Sequence, residues 1–65
     1  MLYEIIVGGH IPEAWFKGFT IVKQPDFTTT LRGHIIDQAA LYGVLRIIND
    51  LGVELIAVNR LDDGE

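Results

Sequence analysis

Two histidines, His10 and His34, and the run Thr28-Thr29-Thr30-Leu31-Arg32-Gly33-His34 hold most of the side chains that could do chemistry in this 65-residue chain. An imidazole titrates near neutrality and ligates metals, so two of them beside a carboxylate such as Glu4 would begin a metal site or an acid–base pair. Neither HxH nor HxxxH spacing occurs, and the histidines read as ordinary surface or turn residues. In an extended segment alternate side chains share a face, so Thr28, Thr30, Arg32 and His34 line up as hydrogen-bond donors suited to an anionic small molecule. The same residues also read as the solvated face of a β-branched strand. Gly8-Gly9 is a turn and not a phosphate loop, because no helix with a GxGxxG or GxxxxGK[ST] pattern follows it. Trp15, Phe16 and Phe19 could wall a ligand, although aromatics beside a loop more often close a core. With no cysteine, zinc-finger, redox and thiol-nucleophile chemistries drop out. The reading assigns no catalytic residue, no metal and no cofactor.

These side chains must be positioned by a very small domain. A chain of this length buries only roughly 60% of the surface it exposes when unfolded, so it depends on tight packing or on a partner. Nearly half of the residues are apolar, and five basic and nine acidic residues are spread in ones and twos, the profile of a folded chain. The net charge of −4 offers no cationic surface for phosphates, which excludes nucleic acid and anionic membrane as expected partners. No apolar run approaches the ~20 residues of a membrane span, and no basic leader precedes an apolar run at the N-terminus. The expectation is a cytoplasmic protein of one domain, residues 1–61, with an acidic flexible tail at 62–65.

The elements follow from local pattern. Leu2 to Val7 reads as a strand with Tyr3, Ile5 and Val7 on one face, and Leu2 and Ile6 on the other. His10 to Gly18, with Pro12 suited to a first helical turn, reads as an aromatic-anchored loop or short helix. Phe19 to Lys23 and Thr28 to Arg32 form a hairpin about a type I turn at Gln24-Pro25-Asp26-Phe27, the second strand running on to Ile35 or Ile36. Gly33 marks a bulge or a close backbone approach. Asp37 caps a helix over Gln38 to Leu51 that ends on Gly52. At ~100° per residue its apolar residues, Ala40, Leu41, Val44, Leu45, Ile47, Ile48 and Leu51, fill an arc of about 160°. Gly43 lies on the polar side at a cost of roughly 1 kcal/mol, which suggests that something approaches closely there. Val53 to Leu61 gives a last strand with Val53, Leu55 and Ala57 on one face and Ile56 and Val58 on the other.

The order is strand, short irregular or helical segment, strand, strand, helix, strand, an α+β fold with a four-stranded sheet and one long helix on one face. If the His10 to Gly18 segment crosses the sheet, the fold is ferredoxin-like with a degenerate first helix. Otherwise it is a β-meander followed by a crossover helix. One helix covers one face, yet Leu2, Ile6, Val22, Ile36, Ile56 and Val58 point away from it, which predicts an apolar patch used for homo-oligomerisation. A loop bearing Trp15 and Phe16 that covers the patch is the alternative, as is a one-residue slip of the face assignments.

Thr29-Thr30-Leu31-Arg32-Gly33, Asp37-Gln38-Ala39-Ala40-Leu41-Tyr42-Gly43-Val44-Leu45 and Asp50-Leu51-Gly52 together resemble a group of small stand-alone bacterial proteins with no assigned function. The likeness extends upstream through Gly9-His10, Trp15 and Phe16-Lys17-Gly18. It implies a bacterial or archaeal origin and transfers no catalytic residue. Two functions stand. The first is a non-enzymatic homo-oligomeric module for ligand binding, regulation or assembly, whose partners are itself, another protein or a small molecule. The second is a small oligomeric enzyme with an interfacial site, using His34 and Arg32 on an anionic small molecule.

Overall fold

The computed structural model describes residues 1–61, and the tail expected at 62–65 lies outside the described residues. Strand β1 (Leu2–Gly8) is followed by a single 3-10 turn (Glu13–Trp15), β2 (Thr20–Lys23), β3 (Thr28–His34), α1 (Gln38–Leu51) and β4 (Glu54–Arg60). The strands form one antiparallel sheet in the order β2-β3-β1-β4, so the fold is α+β. The meander alternative is not what forms. β1 pairs with β3 over seven rungs, Leu2↔His34 to Gly8↔Thr28, whereas β2 finds only four partners on the far side of β3. β1 and β3, which carry the fully buried Ile5, Val7, Thr29 and Leu31, take the two interior positions, where both of their edges are satisfied, and four-residue β2 is left at an edge.

The chain between Gly8 and Thr20 therefore passes over β3, and it does so on the helix side. Ile11 and Phe16 are buried there together with Ile5, Val7, Leu31, Ile35 and Ile48. Each large aliphatic side chain buried in this way contributes roughly 1.5–3 kcal/mol. The crossover is tied down through Gly9, whose N–H donates to the Phe27 carbonyl (2.7 Å) and whose carbonyl accepts from the Thr29 hydroxyl (2.6 Å). Thr29 is completely buried, and this bond spares it the cost of an orphaned hydroxyl. The α1 limits are as the sequence predicts. Asp37 Oδ1 accepts from the Ala40 N–H (2.8 Å), and Gly52 closes the helix in the left-handed region (φ 77°).

Four details differ from the sequence reading or sharpen it. β3 stops at His34, and Ile36 stands 85% exposed in the link to α1 instead of on a sheet face. The space above Gly43 is open, with no atom within 4 Å of an added Cβ, so no close approach explains that glycine. At Gly33 the approach is real: a Cβ would meet Phe19 Cδ2 at 2.8 Å. The fourth is a correction to β4. Its register slips between Ile6 and Val7, so that Leu55 faces Val7 while Ala57 faces Ile6 and Val58 faces Ile5. Ile56 is the extra residue of a β-bulge, which resets the alternation. Val58 consequently packs against the core and leaves the predicted interface, while Ala57 moves to the opposite face. Strict alternation would have exposed Val58. Among the described residues, no helix is long and apolar enough to cross a membrane.

Candidate functional site

Helix and crossover both lie on one side of the sheet, because Ile48 and Phe16 share one core. The loop bearing Trp15 and Phe16 thus leaves the other side bare. On that side the strand registers set the side chains in rows. Val22, Thr30, Ile6 and Ala57 form one row from β2 to β4, and Thr20, Arg32, Glu4 and Asn59 form the next. Thr28 lies beside Gly8 at one end of the face, and His34 beside Leu2 at the other. The register thus places Thr28, Thr30, Arg32 and His34 in line on this face, together with Leu2, Ile6 and Val22, and the bulged Ile56 joins them beside Ile6 and Gly8. Leu2 and Ile6 are half-buried, whereas Val22 and Ile56 are 47% and 49% exposed.

Two of the four aligned polar residues, Thr28 and Arg32, have side-chain partners within the chain. Arg32 Nη2 donates to Glu4 Oε2 at 2.8 Å across the β1–β3 rung. Glu4 is the more sheltered of the two, its side chain 20% exposed against 55% for Arg32. Thr28 donates twice to Asp26 Oδ1, from its hydroxyl at 2.6 Å and from its N–H at 3.1 Å. These two bonds favour the ionised carboxyl and hold Asp26 below the ordinary carboxylate range. Thr30 and Gln24 border two hollows on this face. One is a shallow concavity of about 710 Å³ between Ile6, Ile56 and the Gln24–Thr28 turn. The other, about 150 Å³, lies between Glu4, Arg32, Thr20 and Val22.

The two histidines stay apart. His34 pairs with Leu2 at the start of β1, whereas His10 lies beyond its end, with its ring centroid 6.4 Å from that of Phe27. Among the described residues no cluster of three or more histidines and carboxylates could hold a metal. Sequence reasoning named Glu4 only as a carboxylate for the histidines and Phe27 only as the last residue of the turn. Glu4 had no visible tie to Arg32, since only the strand register joins positions 28 apart. Phe27 takes the left-handed position (φ 68°) after the type I turn, where glycine or asparagine is usual, and is 73% exposed.

A family model described as a domain of unknown function, DUF8691, matches residues 2–59. The chain belongs to that family. The DUF8691 span takes in both rows of the bare face, from Leu2 to Asn59, so this surface is part of the family's domain. No curated protein and no solved structure matches the chain.

Proposed function

We propose that this chain is a non-enzymatic, self-associating module for ligand binding, regulation or assembly, whose working surface is the bare face of its sheet. The supporting observation is that neither helix nor crossover covers that face, although Ile6, Val22 and Ile56 stand on it beside a neutralised ion pair. An apolar patch of a few hundred Å² on a small monomer marks an interaction surface. The enzymatic alternative has less support. The Arg32 charge that an anionic substrate would need is engaged by Glu4, and the Thr28 hydroxyl is directed to Asp26. The proposal includes a ferredoxin-like classification, supported by the order β4-β1-β3-β2 with both crossovers on one side of the sheet. It also places the module in the cytoplasm, which cell fractionation tests.

The first experiment is molar mass by light scattering behind size exclusion, from about 1 to 100 μM, since assembly follows mass action. A mass at or above twice the 7.3 kDa of one chain supports the reading. A mass of one chain throughout removes it.

A further inference from the structure

If the module self-associates as proposed above, the registers restrict how two bare faces can meet. Aligned sheets stack face to face, and an isologous pair has a two-fold axis between them. An axis across the strands would lay each strand on its own reversed copy. With that axis midway between the two rows, the row holding Glu4 and Arg32 would face the row holding Ile6 and Thr30, and with the axis on the charged row, Glu4 would face the partner's Glu4 and Arg32 the partner's Arg32. An axis along the seam between β1 and β3 exchanges β1 with β3 and β2 with β4 while keeping each row opposite itself. Arg32 then faces the partner's Glu4, and Glu4 the partner's Arg32. Thr20 meets the partner's Asn59, polar on polar, and Val22 meets the partner's Ala57 beside Ile56, apolar on apolar.

We infer that two copies dimerise through their bare sheet faces about this seam axis, with the Glu4–Arg32 pairs of the two chains closing into one reciprocal four-charge network. The in-chain pair, Nη2 to Oε2 at 2.8 Å, already lies across that seam on the two central strands. Strands ~4.8 Å apart and ~3.3 Å per residue give each copy a face of roughly 400 Å² in projection. Side-chain relief brings the pair close to the ~1,000 Å² that a specific interface needs.

The test uses Glu4→Arg and Arg32→Glu, each made alone in the full chain. Like charges set opposite one another should weaken the dimer about 100-fold, so each variant runs at 7.3 kDa where the wild type is dimeric. Mixing the two variants in equal amounts joins an all-cationic face to an all-anionic one and restores the dimer mass. A variant that dimerises alone as tightly as wild type, or a mixture that stays monomeric, overturns the inference. Should a single variant fail to fold by circular dichroism, the double variant Glu4→Arg/Arg32→Glu keeps every pairing and must fold and dimerise. A folded monomer there also overturns it. A monomeric wild type refutes self-association itself, before any variant is compared.

Discussion

Replacing Gly33 by alanine should destabilise the fold, and the structure supplies the size of the effect. The ideal Cβ lies 2.8 Å from Phe19 Cδ2 and 3.2 Å from the Gly18 carbonyl oxygen. Carbon–carbon contacts are comfortable at ~3.5–4.0 Å, so the Phe19 ring must retreat by close to 1 Å. It has little room, because it packs against the buried core and the Phe19 N–H is bonded to the Phe16 carbonyl at 3.2 Å. Overpacking of this kind costs about 1–3 kcal/mol. Losing a glycine from the unfolded chain returns roughly 0.4–1 kcal/mol, which leaves a net loss of about 1–2 kcal/mol. In a domain of this size that lowers Tm by ~4–8 °C per kcal/mol. Urea and thermal melts followed by circular dichroism read both quantities. Adding Phe19→Leu should recover part of the loss, so that the double variant costs less than its two singles together. A Gly33→Ala variant as stable as wild type would refute the reasoning, since Phe19 could not then be seated on that glycine.

The same substitution ten residues along should act with the opposite sign. Gly43→Ala meets no atom within 4 Å and gains about 1 kcal/mol of helix propensity, read as a higher urea midpoint; a loss would place another chain against that side of α1. Phe27→Asn should raise stability by about 1 kcal/mol in the same melt, because asparagine tolerates the φ of 68° that strains phenylalanine. A fall would mean that the Phe27 ring packs on more than His10. The folded pKa of Asp26 is lowered, so the Thr28 bonds contribute fully above the ordinary value of 3.8 and lose their effect as pH falls through the lowered value. A carboxyl-carbon NMR titration should place the Asp26 midpoint below 3.8, and a midpoint at or above it would remove the two bonds from the account.

Asp37 and Gly52 announced the helix limits, since a capping carboxylate and a left-handed terminus act within one turn of chain. Its apolar arc was equally local: Ala40, Leu41, Val44, Leu45, Ile47 and Leu51 are the residues half-buried around Ile48. The Gln24-Pro25-Asp26 turn was legible for the same reason, closed by the Phe27 N–H on the Gln24 carbonyl at 3.2 Å. For Gly43 the sequence could state the cost of a mid-helix glycine but could not show that nothing fills the space above it.

Torsional preference, capping chemistry and periodicity are carried by neighbouring residues, so the elements, their apolar stripes and the exclusion of thiol chemistry followed from the chain alone. Which strands pair is a comparison of whole ladders. The seven rungs between β1 and β3 outweigh the nearness in sequence of β1 and β2, and no local signal reports that sum. The bulge at Ile56 has the same origin. No glycine marks it, and it forms because one extra residue in β4 lets Leu55 stay opposite Val7 while Val58 reaches the core beside Ile5. Tertiary structure alone therefore decided which face is bare, which side Val58 takes and that Arg32 meets Glu4, because each depends on the register between segments that the sequence holds far apart.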